Sequence, residues 1–302
     1  MNAPRRAPRL KLDGVLLLDK ATGQSSNHAL QAVRRLYNAE KAGHTGTLDP
    51  LATGLLPVCF GEATKFSSEL LLADKSYEAT VQLGVTTVSA DSEGQVLEVR
   101  PVNVSREQIE SVMNCFRGPI SQLPPMYSAL KRDGKPLYEY ARDGIEVDRQ
   151  PRTITVYELQ LLGVSCDRFS FTVRCSKGTY VRTLAADIGE ALGCGAHLTS
   201  LRRTGIGALD VALAHGYSAL ESLSDELRQA MLLPVDSLLL SLPLVELDEQ
   251  STSRILHGQA VQQSGDKEEG RYRMYDPTHR FLGVGSLSTD GWLRPQRLIA
   301  GN

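Results

Sequence analysis

Residues 152–193 read RTITVYELQLLGVSCDRFSFTVRCSKGTYVRTLAADIGEALG and contain two strand patterns followed by one helix pattern. Apolar and polar side chains alternate over residues 152–163 and again over 168–175, with a short loop between them. This spacing predicts two adjacent antiparallel strands, since a strand turns alternate side chains to opposite faces. An amphipathic helix should follow from residue 180 and end at Gly193, because glycine readily adopts the left-handed conformation that terminates a helix.

Strands and helices also alternate on either side of this stretch, without a regular repeat. The run GVLLLDK, residues 14–20, predicts a buried strand. A serine-capped helix should follow it, with Leu30, Val33 and Tyr37 on one face. Further predicted elements are strands at 55–61 and 75–85 and helices at 62–74 and 105–118, the last behind an S-x-x-Q capping box. The absence of a βαβ repeat predicts an α+β fold with a mixed, mainly antiparallel sheet flanked by helices.

The sequence pattern divides the chain into a large domain, residues 1–242, and a small one, residues 243–302. From about residue 243 one helix pattern is followed by short strands with turns at DPTHR and STDG, so the second domain should be rich in β-structure. Within the first domain, residues 123–152 are rich in Pro and Gly and mix Lys and Arg with Tyr. We predict a long insertion with a short helix there, suited to binding.

The composition is that of an ordinary globular protein, with 302 residues, 41% hydrophobic and 23% charged. No stretch approaches the roughly 18 uninterrupted apolar residues of a membrane span, and the N-terminus lacks the apolar core of a signal peptide. We therefore expect no membrane contact, a cytoplasmic location and, by default, a monomer. Five cysteines without a CxxC pair indicate neither a disulfide framework nor a zinc site.

Charge is unevenly distributed along the chain, although the formal net charge is only −2. Residues 168–203 carry six Arg or Lys and two acidic residues, whereas residues 218–250 carry seven acidic residues and one Arg. Nucleic-acid binding ordinarily requires a basic surface that displaces counterions from phosphates. The local basic segments permit such binding, while the net charge gives no general case for it.

The segment HTGTLDPLATG, residues 44–54, is the strongest candidate for a functional site. Its glycines and prolines force tight turns, and Asp49 before a proline is held out of helical geometry. A single Asp-Pro most often forms an Asx turn, so this segment alone favours a structural role for Asp49. Additional hydrogen-bonding groups lie close by in sequence, namely His44, Thr45 and Thr47.

Two further segments contain polar residues whose role the sequence leaves open. Tyr180 and Arg182 should lie at the start of a helix, and an arginine there could hold Asp49 ionised and oriented. Tyr77 lies in a predicted strand, where aromatic residues usually pack in the sheet. Asp91 and Glu93, in SADSEG, resemble half of a calcium loop, but the ligand series is incomplete, so no metal is expected.

Neither common nucleotide-binding loop is present. The sequence has no G-x-x-x-x-G-K-[ST] match, and no G-x-G-x-x-G follows a predicted strand. We therefore expect no cofactor.

Five collinear blocks closely resemble the TruB family of bacterial tRNA pseudouridine synthases, and the resemblance spans essentially the whole chain. They are KAGHTGTLDPLATGLLPVCFGEATK, KSYEATVQLG, TTVSADSEG, PPMYSALKRDGKPLYEYARDG and SKGTYVRTLAADIGEALGCGAHLTSLRRTGIG. The resemblance implies the pseudouridine synthase fold, an insertion that closes over RNA and a small C-terminal domain like the PUA module. It also implies isomerisation of the uridine at tRNA position 55, in the TΨC stem-loop, without cofactor, metal or guide RNA.

The resemblance assigns roles to particular residues. Asp49 corresponds to the catalytic aspartate, Tyr77 stacks on the target base, and Arg182 pairs with Asp49. Tyr180 and Leu201 line the uracil pocket. Contacts to the RNA are expected from His44, near the flipped nucleotide, and, through phosphates, from Lys20, Lys65, Lys131, Arg142 and Arg202.

Three alternatives remain open from the sequence. A related synthase could act on ribosomal RNA with guide RNAs, but the chain lacks a basic extension and carries the bacterial type of insertion. A pure RNA-binding module with a vestigial site is disfavoured because Asp49, Tyr77 and Arg182 are all present. A hydrolase with an aspartate nucleophile would require a metal or a phosphate-binding loop, which the sequence lacks.

Overall fold

A computed structural model describes residues 8–263 and 267–300. Its first part is built on one large sheet and two small hairpins. In chain order the strands of this part are β1 (Gly14–Lys20), β2 (Ala42–His44), β3 (Thr53–Phe60), β4 (Lys75–Leu83), β5 (Val85–Thr87), β6 (Val96–Val99), β7 (Gly118–Gln122), β8 (Lys131–Arg132), β9 (Lys135–Pro136), β10 (Arg152–Ser165), β11 (Arg168–Cys175), β12 (Ala196–Ile206), β13 (Leu209–Asp210) and β14 (His215–Gly216).

The large sheet is mixed and mainly antiparallel, as the sequence predicts. Its strands follow the order β14-β1-β3-β12-β4-β11-β10-β7, with β2 paired to β3 and β13 to β12. Only two of these pairings are parallel, β1 with β14 and β3 with β12. The predicted pair at 152–175 forms the hairpin of β10 and β11.

The described residues form eight α-helices, of which the last packs against the C-terminal strands and not against the large sheet. They are α1 (Ser26–Leu36), α2 (Ser67–Leu72), α3 (Arg106–Cys115), α4 (Leu137–Arg142), α5 (Val181–Ala191), α6 (Tyr217–Glu221), α7 (Asp225–Ala230) and α8 (Glu249–Leu256). Short 3-10 turns add Gly61–Phe66, Val211–Leu213 and Val235–Leu239. The predicted caps are present, since the Ser25 side chain accepts from the His28 amide and Ser105 forms a complete capping box with Gln108.

One predicted helix differs from the structure. Residues 62–74 were expected to form a single helix, but a 3-10 turn leads into the six-residue α2. The Thr64 hydroxyl donates to Gly61 O and the Ser67 hydroxyl to Thr64 O, both three residues back. Such side-chain bonds compete with the backbone for acceptors and favour the tighter turn.

Two hydrophobic clusters cover the two faces of the large sheet. One contains Leu16, Leu18, Val58 and Val81 of the sheet packed against α1, α3 and α5. The other lies under the 3-10 turn and α2 and includes side chains of the C-terminal sheet. The strands β10, β11, β4 and β12 are therefore buried on the face of the sheet against which α5 packs.

The C-terminal part forms a separate five-stranded sheet around its own core. Its strands, in the order β15-β17-β18-β19-β16, are β15 (Leu244–Glu246), β16 (Val261–Gln262), β17 (Gly270–Tyr275), β18 (Phe281–Leu287) and β19 (Trp292–Leu298). This sheet matches the β-rich C-terminal part that the sequence predicts, with one added strand, β15, before the helix. The boundary at residue 243 stays a prediction.

The insertion expected at 123–152 contains the β8–β9 hairpin and the short helix α4. No helix within residues 8–263 and 267–300 combines the length and the apolar character needed to cross a membrane.

Candidate active site

The loop that carries Asp49 connects β2 to β3 and is bonded to the segment between β1 and α1. The Ser26 hydroxyl donates to Leu48 O at 2.9 Å and accepts from Leu48 N at 2.8 Å. Gly23 N donates to Pro50 O at 2.8 Å, and Ala52 N donates to Asp49 O at 3.1 Å. Because the main chain on both sides of Asp49 is fixed, its carboxylate is presented by a stiff loop.

Arg182 faces Asp49 from the first turn of α5. Its Nε lies 2.9 Å from Asp49 Oδ2, so the pair that the resemblance implies is present. The arginine is buried, with 4% of its surface exposed, whereas 40% of the Asp49 side chain is exposed. Its Nη1 donates to Ser89 O at 2.8 Å and its Nη2 to Tyr127 O at 2.7 Å. Arg182 thereby joins the Asp49 loop, the turn after β5 and the insertion at one point.

Asp91 is a second carboxylate at this arginine, a role that the sequence alone does not indicate. Its Oδ2 lies 3.5 Å from Arg182 Nη1, and its Oδ1 accepts from Ser89 Oγ and from Glu93 N. The SADSEG segment, which resembled half of a calcium loop, is thus a turn that binds the Arg182 guanidinium through Ser89 O and Asp91. Asp91 lies in TTVSADSEG, one of the five blocks that resemble the TruB family, and that block could have indicated a role for it.

Glu93 brings the same turn against the Asp49 loop. Burial and the neighbouring charge of Asp91 raise the pKa of Glu93, and Asp49 raises it further. Asp49 and Asp91 contact the Arg182 guanidinium, and Glu93 adds a third carboxyl group near this pair.

Asp49 lines a cavity of about 350 Å³ together with four other predicted site residues. Tyr77, Tyr180, Leu201 and Arg182 all line it together with Asp49. The volume lies in the range of small-ligand pockets and suits a single nucleoside. Residues separated by more than 100 positions in sequence thus converge on one cavity.

Tyr180 is held in place through its main chain. Gln122, at the end of β7, donates from Nε2 to Tyr180 O at 3.0 Å and accepts from Tyr180 N at 2.8 Å. Burial raises the pKa of the Tyr180 hydroxyl, so the phenol is neutral at physiological pH. Gln122 is buried, and its positioning role was not predicted.

His44 lines a larger adjoining cleft of about 960 Å³, which Asp49 and Arg182 also border. Burial, followed by the positive charge of Arg203, lowers the pKa of His44 below its ordinary value. The imidazole is therefore neutral at physiological pH. Its Nδ1 is buried without a hydrogen-bond partner among the described residues. A buried polar atom without a partner is uncommon in folded proteins.

The structure corrects the expectation that Lys20 contacts phosphate. Lys20 is only 1% exposed, and its Nζ donates to Ala21 O at 2.9 Å, Gln24 O at 2.8 Å and Pro50 O at 3.4 Å. Burial lowers its pKa to about 8. Its ammonium group therefore supports the Asp49 loop from inside the protein.

The other expected phosphate contacts divide into two groups. Lys65 is bonded to Glu62 and to Leu298 O of the C-terminal part, and Arg202 forms a two-pronged pair with Asp19 at 2.7 and 3.0 Å. Lys131 and Arg142 are exposed on the insertion, and Arg142 lines the larger cleft. The last two are thus the better placed for an RNA backbone.

Solved structures share this fold. One is an H/ACA ribonucleoprotein bound to a substrate RNA containing 2′-deoxyuridine, with a TM-score of 0.73, 24% identity, and coverage of 95% of this chain and 85% of that one. Another is a Cbf5–Nop10–Gar1 complex, with a TM-score of 0.72, 27% identity, and coverage of 96% and 84%. The pseudouridine synthase fold predicted from the sequence is confirmed.

Family models match nearly the whole chain. The TruB family pseudouridylate synthase N-terminal domain matches residues 34–181, and two TruB C-terminal models match residues 182–240 and 243–299. Fold and site thus define a pseudouridine synthase, an isomerase. A tRNA pseudouridine synthase B of Burkholderia lata is 58% identical, covering 97% of this chain and 92% of the relative, and one of Azoarcus sp. is 57% identical, covering 98% of both. The chain belongs to the TruB family.

Proposed function

We propose that this chain converts the uridine at position 55 of tRNA, in the TΨC loop, into pseudouridine, acting without guide RNA, metal or cofactor. The observation that carries the proposal is the Asp49–Arg182 pair at the mouth of a nucleoside-sized cavity. The tRNA substrate is supported by the curated relatives, which are named tRNA pseudouridine synthase B.

The cavity geometry favours a nucleotide turned out of its RNA loop. Reaching C1′ inside a folded loop requires extrusion of the nucleotide, which costs a few kcal/mol of stacking. An aromatic platform can offset that cost. Tyr77, half-buried on β4, and Leu201, on the neighbouring β12, provide such an apolar wall opposite Asp49.

We assign Asp49 an acid–base role in the isomerisation. Its carboxylate removes the proton from C2′ of the ribose, and those electrons form a C1′–C2′ double bond as uracil departs with the N1–C1′ electron pair. After uracil rotates, Asp49 returns the proton to C2′ while C5 of the uracil anion bonds to C1′. The C5 proton then passes to solvent, and N1 takes one up. In the alternative, Asp49 forms a covalent adduct with the base or the sugar.

Only the acid–base route breaks the C2′–H bond of the target uridine. Replacing the C2′ hydrogen of the target uridine with deuterium should slow single-turnover conversion if Asp49 removes that proton. An unchanged rate under conditions where chemistry limits turnover would favour the covalent route.

The exposed cations of the insertion are proposed to contact the RNA backbone. Lys131 and Arg142 are exposed and have no carboxylate within 4 Å in the part of the chain that the structure describes. Such contacts release counterions, so affinity for tRNA should fall steeply as salt is raised. Replacing both residues with glutamine should reduce the salt dependence, and an unchanged slope would place the backbone contacts elsewhere.

The decisive test of the function is direct. The purified protein is incubated with an unmodified tRNA transcript and EDTA, and pseudouridine is mapped along the product. We expect conversion at position 55 only, and none in a matched transcript carrying cytidine there. Conversion at another position would overturn the site assignment, and a requirement for a second RNA would favour a guide-dependent synthase.

A further inference from the structure

Arg203 is a second arginine of the cavity, beside Arg182. It is only 1% exposed, which makes it one of the largest fully buried side chains. It lines the Asp49 cavity with Tyr77. Within residues 8–263 and 267–300 no carboxylate oxygen lies within 4 Å of its guanidinium, in contrast to Arg182. A buried arginine that lacks a counter-ion is costly and calls for a functional explanation.

The sheet places Arg203 directly beside Tyr77. The two residues are paired across the antiparallel strands β12 and β4, so their side chains leave the sheet on the same face. The main chain of Arg203 also abuts Gly54 of β3, its parallel partner. Its side-chain position is therefore determined by strand register and not by a mobile loop.

The guanidinium is anchored by two main-chain acceptors. Its Nε donates to Leu55 O at 2.8 Å and its Nη2 to Gly46 O at 3.0 Å. Gly46 has a positive φ of 69°, and a Cβ there would lie 3.3 Å from Arg203 Nη1. Arg203 thus fixes the first turn of the Asp49 loop and still directs positive charge toward the cavity.

That charge acts on Tyr77 more strongly than any other neighbour does. Burial raises the pKa of the Tyr77 hydroxyl, and attraction to Arg203 is the largest effect opposing that rise. The other titratable groups that line the cavity with Tyr77 are Cys175 and Asp49, both of which raise its pKa, together with Lys75, Tyr180 and Arg182.

We propose that Arg203 is a positioning residue that fixes the Tyr77 ring against the Gly46 turn and stabilises negative charge on the Tyr77 hydroxyl. The proposal rests on the proposed function, since it assumes that Tyr77 exchanges a proton or hydrogen bond with the target uridine. It gives the cavity two guanidinium groups with separate tasks. Arg182 orients the Asp49 carboxylate, and Arg203 positions the Tyr77 ring and stabilises negative charge on its hydroxyl.

A double-mutant cycle under single-turnover conditions tests this. Tritium release from a tRNA transcript labelled with [5-³H]uridine reports pseudouridine formation at any position. The assay therefore tests Arg203 even if the modified uridine is not the one at position 55. We expect Arg203→Met to slow release about tenfold or more at pH 7, with tRNA affinity changed less than about threefold, because one pKa unit corresponds to a factor of ten. In a Tyr77→Phe background the same change should have little further effect.

Rescue by charge separates this role from a purely structural one. Arg203→Lys, which keeps the charge, should recover part of the rate. Arg168→Met serves as the control, since Arg168 bonds Gln82 on the same sheet, outside the cavity.

Each other outcome has a defined meaning. A deficit that Arg203→Lys leaves unchanged, or one fully additive with Tyr77→Phe, would overturn the proposal. If Tyr77→Phe releases no tritium, the rescue by Arg203→Lys decides. If melting shows that Arg203→Met does not fold, Arg203→Lys replaces it in the cycle, and a loss additive with that of Tyr77→Phe contradicts the proposal.

Discussion

Arg182 shows how one buried side chain can organise a site. It bonds the main chain of Ser89 and Tyr127 while its charge is shared between Asp49 and Asp91. Removing one partner of a buried ion pair leaves an uncompensated charge, which typically costs about 3–5 kcal/mol. The geometry of Asp49 therefore depends on Asp91 and on the main chain of Ser89 and Tyr127, all of which act through Arg182.

Asp91→Asn should weaken catalysis by loosening Arg182. A hydrogen bond to a charged group contributes about 1.5–3 kcal/mol, so we expect a single-turnover rate reduced by about tenfold to a hundredfold, with little change in tRNA affinity. Quenched single-turnover assays measure the rate, and filter binding measures the tRNA affinity. Asp290→Asn, in an exposed turn of the C-terminal part, is the matched control. A normal rate for Asp91→Asn would mean that Asp91 is not needed to orient the arginine.

Lys20 should make stability depend on pH in a defined direction. Its pKa is about 8 in the folded protein and 10.5 ordinarily, so between these values the unfolded chain binds more protons. The free energy of unfolding should therefore rise with pH across this window, by about 1–2 kcal/mol from this residue. Urea unfolding at pH 8 and 10 should show a smaller rise in Lys20→Met. Equal rises in both proteins would contradict the assignment.

Residue types alone predicted only part of the site. Asp49, Tyr77 and Arg182 were assigned through the family resemblance, and the structure brings them to one cavity. Lys20 was wrongly placed on the surface because a sequence shows that a residue is charged but not where its side chain points. Arg203 was missed because its meaning depends on burial and on a missing counter-ion.

At the scale of elements, periodicity was a reliable guide to the sheet. The hairpin of β10 and β11 and the caps of α1 and α3 agree with the sequence patterns because they depend on local geometry. The turn at 61–66 was not anticipated, since Thr64 and Ser67 hydroxyls compete for the helix acceptors. The parallel pairing of β3 with β12 could not be read from either strand, because it joins segments nearly 150 residues apart.

That parallel pairing makes Gly54 indispensable in β3. Gly54 has φ of 98°, and a Cβ there would lie 2.3 Å from Arg203 O. We expect Gly54→Ala to lower the free energy of unfolding by about 2–3 kcal/mol, measured by urea titration. Gly43→Ala is the control, because its added Cβ would meet only the Thr64 methyl at 3.9 Å. Equal stability of the two variants would rule out the close approach of β3 and β12.

At the scale of the whole molecule, the C-terminal sheet is docked by apolar packing and bordered by ion pairs. Phe281 packs edge-on against Phe66, with ring centres 5.7 Å apart, and both belong to one buried cluster. Arg271 forms a two-pronged pair with Glu69 at 2.8 and 2.9 Å at the rim. Partly exposed pairs contribute little, so the aromatic contact should dominate.

Two substitutions separate the contribution of the aromatic contact from that of the ion pair. Phe281→Ala removes a buried aromatic ring and should cost about 3–5 kcal/mol of unfolding free energy. Glu69→Gln should cost less than about 1 kcal/mol. Calorimetry of the full chain compares them, and a larger loss for Glu69→Gln would show that the ion pair is the main attachment.

The central claim is that Asp49 performs the chemistry in the cavity that the fold builds around it. The most direct measurement compares tritium release and tRNA affinity for the normal protein and Asp49→Asn, which keeps the side-chain size and removes the charge. We predict no detectable release by Asp49→Asn and tRNA affinity within about threefold of normal. Substantial release by this variant would contradict the account.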